Sequence, residues 1–146
     1  MENEIEILLV EDNAHDAELT MRALKKQHIA NNLFHLKDGA AALEFLFGTG
    51  DFEGRNTANK PKVILLDLKM PKVNGIEVLE KIKSNPLTSD IPVVILTSSK
   101  ENPDIKKCYS LGANSYIVKP VEFHNFSKAV AEVGLYWGLL NQPPSK

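Results

Sequence analysis

Three aliphatic runs, each stopping at a polar residue, constrain this chain more than any other feature. Ile5 to Val10, broken only by Glu6, ends in Glu11-Asp12, Val63 to Leu66 ends in Asp67, and Val93 to Leu96 ends in Thr97-Ser98. Consecutive aliphatic residues suit strands covered on both faces, which is the habit of a parallel sheet. Leu33 to Leu36, which includes Phe34 and His35, and Tyr116 to Val118 are weaker strand candidates, the second ending in Lys119-Pro120. Helical patterns fill the gaps. Ala14, Ala17, Met21 and Leu24 recur at 3-4-3 spacing, one face of a helix. Asp38 is placed to cap a second helix through Leu43, Leu46 and Phe47, and Asn74 a third through Val78, Leu79 and Ile82. Ile105, Cys108 and Tyr109 lie on a fourth, stopped by Gly112. A fifth runs from near Glu122 to Asn141, where Pro143 and Pro144 forbid continuation. Strands alternating with helices in this way predict an α/β fold, a doubly wound parallel sheet with right-handed crossovers.

A length of 146 residues suits one domain with a substantial core, here a core over 5–141 and a tail over 142–146. A net charge of −2 offers no basic field for nucleic acid and no polybasic patch for a membrane surface. The single cysteine, Cys108, excludes an internal disulfide and fits a reducing compartment; it is expected to serve as a small core hydrophobe. The N-terminus carries Glu2, Glu4 and Glu6 and has no signal-peptide pattern, so a cytoplasmic location is expected. No apolar run approaches the roughly 20 residues that a membrane-spanning helix requires. Gly48 to Lys60, with three glycines, lacks the spacing of a phosphate loop and is expected to be a solvated surface loop. His15, His28, His35 and His124 show no metal-ligand spacing and are expected to be solvent-facing or structural.

In a parallel sheet all C-terminal strand ends share one rim, where α/β folds place their chemistry. Glu11, Asp12, Asp67, Thr97, Ser98 and Lys119 therefore converge. Taken singly, each has a duller explanation: Glu11 and Asp12 as decoration of a helix N-terminus, Asp67 as a turn residue, Lys119 as a solvated side chain before a proline. The joint arrangement, in order on successive strands, is much harder to produce by accident. Three clustered carboxylates repel one another unless a cation is present, and oxygen ligands with one strong charge demand suit Mg²⁺. Mg²⁺ also neutralises phosphoryl oxygens, and a Lys with a Thr hydroxyl can hold the others. The chemistry this supports is transfer of a phosphoryl group onto a carboxylate.

Four motifs in order carry a family resemblance. They are Leu9-Val10-Glu11-Asp12-Asn13, Leu66-Asp67-Leu68-Lys69-Met70-Pro71 with Gly75, Leu96-Thr97-Ser98, and Gly112 to Pro120. From Ile5 to about Leu140 the chain resembles the receiver domains of two-component response regulators. The resemblance implies a flavodoxin-like sheet in the order 2-1-3-4-5 and a phosphoacceptor role for Asp67. It further implies a Mg²⁺ site made by Glu11, Asp12, Asp67 and the backbone carbonyl of Lys69. Thr97, with Ser98 beside it, and Lys119 match the phosphoryl-binding positions, Tyr116 matches the aromatic switch residue, and the Lys119-Pro120 bond is cis in the family. Glu11 replaces the commoner Asp and lengthens that arm of the metal site. Lys69 is a cation two residues beyond the acceptor, close enough to alter how water attacks an acyl phosphate.

The implied function is that of a response regulator: Asp67 accepts a phosphoryl group from a sensor histidine kinase, and a conformational and interaction switch follows. Such a domain is no enzyme beyond self-phosphorylation from small donors and self-dephosphorylation. No helix-turn-helix or enzymatic module follows, so a stand-alone receiver is expected. The long Gly48 to Lys60 loop and the aromatic C-terminal helix resemble those of receivers partnered with phytochrome-type kinases.

Rival readings meet specific obstacles. A magnesium-dependent phosphatase needs a second Asp two residues after the nucleophile, where this chain has Lys69. A flavodoxin-like FMN carrier must attract an anion after the first strand, where Glu11-Asp12 would repel one. No G-x-G-x-x-G follows any strand, which removes a dinucleotide-binding domain. A pseudo-receiver without phosphotransfer, acting as a protein-interaction module, is opposed by the intact set Asp12, Asp67, Thr97 and Lys119.

The C-terminal helix adds a partner expectation. Phe123, Phe126, Val130, Val133, Trp137 and Leu140 repeat at 3-4-3-4-3 spacing, and the first half of that stripe is expected to cover the sheet. Gly134 to Asn141 carries no charge, and a helix of about 20 residues, roughly 30 Å long, overhangs strands spanning only about 17–20 Å. Tyr136, Trp137, Leu139 and Leu140 are thus expected to form a homodimer interface.

Overall fold

The computed structural model describes residues 7–26, 32–70, 73–98 and 102–118. Five parallel strands form one sheet in the order β2-β1-β3-β4-β5. They are β1 (Ile7–Val10), β2 (Leu33–Leu36), β3 (Val63–Leu66), β4 (Val93–Thr97) and β5 (Ser115–Val118). Four helices connect them: α1 (Ala14–Lys26), α2 (Gly39–Phe47), α3 (Gly75–Ser84) and α4 (Asn102–Ser110). The expected fifth helix, with Tyr136, Trp137, Leu139 and Leu140, lies outside the described residues.

The sheet sorts its side chains by parity. Leu8, Val10, Leu36, Ile64, Leu66, Val93 and Ile95 face a core shared with α2, α3 and Cys108 of α4. Ile7, Leu9, Val63, Leu65, Val94 and Leu96 face the other way, against Ala17 and Leu24 of α1. All four residues of β1 and of β3 are buried, which is why those runs show no polar alternation. Burying one such side chain contributes roughly 1.5–3 kcal/mol.

Local chemistry sets the helix ends. The Asp38 side chain accepts from the Ala41 amide at 2.7 Å, and Asn74 Oδ1 accepts from the Glu77 amide at 3.0 Å. Both caps expected from sequence are in place. Gly112, at φ 104°, follows α4 in a conformation that a side chain would strain, and the Ala113 amide closes back onto the Cys108 carbonyl at 3.0 Å.

The segment from Gly48 to Lys60 departs from the solvated loop expected of it. It contains a short 3-10 helix, Gly50–Phe52, whose Phe52 ring meets the Phe45 and Phe34 rings edge-on at 5.3 and 6.1 Å between centroids. The Arg55 guanidinium lies 3.8 Å over the Phe45 ring and donates to the Phe45 carbonyl at 3.0 Å and to the Asn59 carbonyl. Aromatic stacking and a stacked cation hold the segment to α2 and β2.

Candidate functional site

The site is built where strands end. In-register pairing sets Val10 against Leu66, so Glu11 and Asp67 leave the sheet side by side. The Asp67 amide donates to the Val10 carbonyl at 3.0 Å, and the Glu11 amide to the Leu36 carbonyl at 3.0 Å. Both acidic residues are thereby fixed by ladder bonds continued one step past their strands. Glu11 and Asp67 are buried at 2% and 7% exposure, while Asp12 is exposed. Carboxylate oxygens of Glu11, Asp12 and Asp67 lie within 4.8 Å of one another.

Each approach is shaped by its loop. Glu11 Oε2 accepts from the Asn13 amide at 3.2 Å, and Asn13 Oδ1 accepts from the Asp16 amide at 3.0 Å at the head of α1. After Asp67 the chain turns tightly: the Gly75 amide donates to the Leu68 carbonyl at 2.8 Å. A Cβ on Gly75 would stand 2.6 Å from the Leu68 Cα and collide with the Asp67 carbonyl oxygen. Glycine is therefore required for the return of the chain beneath Asp67. Leu68 and Met70 are buried in that turn and Lys69 between them is exposed, its side chain directed away from the core.

The other expected site residues divide by position. Thr97 closes β4 opposite Val118, on the same rim as the carboxylates, and the exposed Ser98 follows it. Tyr116 lies on β5 opposite Ile95, half-buried against the core shared with α2, α3 and α4. Lys119 and Pro120, with the bond between them, lie outside the described residues.

The donor set fits a hard divalent cation. All three carboxylates offer oxygen, two of them are nearly withdrawn from water, and burial of a carboxylate is favourable only with cationic or hydrogen-bonding partners.

One contact beside the carboxylates was not legible beforehand. His35, expected to be solvent-facing or structural, is half-buried with its Nε2 2.8 Å from the carbonyl oxygen of Glu11, in keeping with the structural alternative. No spacing rule announces this, because the acceptor is a backbone group on a neighbouring strand.

The model of the response regulator receiver domain matches residues 7–131. The chain belongs to that family. The response regulator Rcp1 of Synechocystis sp. is 40% identical over 131 residues, covering 90% of this chain and 87% of Rcp1. The structure of the Mn²⁺-bound form of Rcp1 superposes with a TM-score of 0.85 at 38% identity, over 97% of this chain and 99% of that one. The phosphorylated cyanobacterial phytochrome response regulator RcpA gives 0.86 at 34% identity, over 98% and 100% of the two chains. The bacteriophytochrome response regulator RtBRR is 50% identical with a TM-score of 0.78, covering 97% of this receiver and 85% of its own chain. Among the described residues, no helix of the receiver is long and apolar enough to cross a membrane.

Proposed function

We propose that this receiver accepts a phosphoryl group on Asp67 from the phosphohistidine of a sensor histidine kinase, with Mg²⁺ bound beside it. The observation that carries the reading is the meeting of Glu11, Asp12 and Asp67 carboxylates at one rim of a receiver fold. An Asp67 carboxylate oxygen attacks phosphorus, the P–N bond to the kinase imidazole breaks, and its electron pair returns to the ring nitrogen. Mg²⁺, held by Glu11, Asp12, Asp67 and the Lys69 carbonyl, would neutralise phosphoryl oxygens as their charge approaches the acidic site. Burial of Asp67 limits the access of bulk water to the acyl phosphate. Thr97, Ser98 and Lys119 are the groups assigned to the remaining phosphoryl oxygens.

The proposed output is a population shift. A phosphoryl group on Asp67 draws Thr97 inward, and Tyr116 turns into the space vacated; the group must favour one conformation by a few kcal/mol for the balance to move. Likeness to the phytochrome response regulator RcpA and the bacteriophytochrome response regulator RtBRR supports a phytochrome-type kinase as partner.

Phosphotransfer from a purified phytochrome-type kinase tests the reading. Label is expected on the wild-type protein with Mg²⁺, and none on Asp67→Asn or in excess chelator. Label that persists on Asp67→Asn would overturn the assignment.

A further inference from the structure

We propose that His35 is a positioning residue for the acidic pair, acting through the peptide group that joins Glu11 to Asp12. The inference rests on reading Glu11, Asp12 and Asp67 as a cation site. His35 sits on β2 opposite Leu9 of β1, on the α1 face of the sheet, and is half-buried. Its Nε2 approaches the Glu11 carbonyl oxygen at 2.8 Å. A carbonyl oxygen only accepts, so Nε2 carries the proton and donates.

The consequence follows from backbone geometry. β1 ends at Val10, and the ladder supplies one more bond, from the Glu11 amide to the Leu36 carbonyl at 3.0 Å. One step further, the His35 ring of β2 reaches the Glu11 carbonyl. Both peptide groups of Glu11 are thus tied to β2. The plane that His35 holds is shared by two acidic residues, for its orientation sets ψ of Glu11 and φ of Asp12 together. Those torsions aim both Cβ atoms, and with them the carboxylates that meet Asp67 within 4.8 Å. The Glu11 side chain has its own tie, to the Asn13 amide at 3.2 Å, whereas the exposed Asp12 depends more on the main chain that carries it. A hydrogen bond one step behind the ligands is a usual means of orienting them.

The measurement is Mn²⁺ affinity at fixed pH, by titration calorimetry or by the electron spin signal of free Mn²⁺, on the full chain without phosphodonor. Three proteins are compared: wild type, His35→Leu and His35→Gln. Glutamine carries an amide N–H near the position of imidazole Nε2; leucine has bulk and no donor. The expected result is about a tenfold loss for His35→Leu, the low end for losing an outer hydrogen-bond partner of a metal site, with most of that affinity restored in His35→Gln. Should His35→Leu fail to unfold cooperatively, His35→Phe takes its place as the variant without a donor. Equal Mn²⁺ affinity in wild type and the donor-less variant would overturn the inference. So would an equal loss in the donor-less and glutamine variants, which is what a packing role alone produces. A wild-type protein that binds no Mn²⁺ would instead overturn the cation site itself, and this inference with it.

Discussion

At the scale of single residues, the site depends on atoms that are absent as much as on those present. Gly75 lets the chain pass beneath Asp67, and a methyl there would stand 2.6 Å from the Leu68 Cα. Gly75→Ala should therefore cost about 1–3 kcal/mol, as overpacking typically does, and slow phosphorylation of Asp67; urea unfolding and a labelling time course check both. Cys108 is a second case. Burial, and to a smaller extent the nearby Asp104 charge, push its thiol up to about 11. Its neutral form is thus favoured by folding: that stability is fully present below the unfolded thiol's value, near 9.0, and is lost as pH rises through about 11. A thiol reagent at pH 8 is expected to leave Cys108 unmodified in the native protein and to modify it in urea. The motifs made the carboxylates legible as residue types. They were silent on the contact of His35, which is made to a main-chain oxygen 24 positions away along the chain.

At the scale of elements, periodicity and caps carried most of the information. The aliphatic runs became β1, β3 and β4 because Ile7 to Val10, Val63 to Leu66 and Val93 to Leu96 each have a core on their own side of the sheet. Asp38 and Asn74 were readable as caps since the bonds they make are local, three residues along the chain. Asn74→Ala should lower stability by about 1 kcal/mol, visible as a reduced urea midpoint with an unchanged slope; an unchanged midpoint would deny the cap its role. The segment from Gly48 to Lys60 was harder to read. Its glycines and polar residues suggest solvation, while its order comes from Phe52 and Arg55 meeting rings on α2 and β2, contacts that exist only once the sheet and helix have met.

At the scale of the whole molecule, strand order converts separate motifs into one site. Strand ends far apart in sequence share a rim because every strand runs parallel, so the sequence alone could name Glu11, Asp12 and Asp67 as neighbours once a parallel sheet was inferred. The homodimer proposed through Tyr136, Trp137, Leu139 and Leu140 also belongs to this scale. Light scattering at micromolar concentration should give a dimer mass that Trp137→Glu reduces; a monomer mass before and after beryllofluoride treatment, unchanged by the substitution, would remove it. The claim on which the rest depends is chemical and is read most directly by intact mass. After incubation with a small phosphodonor and Mg²⁺, the wild-type chain should gain one phosphoryl group and Asp67→Asn none; a wild-type chain that gains nothing, or an Asp67→Asn chain that gains one, would contradict the account.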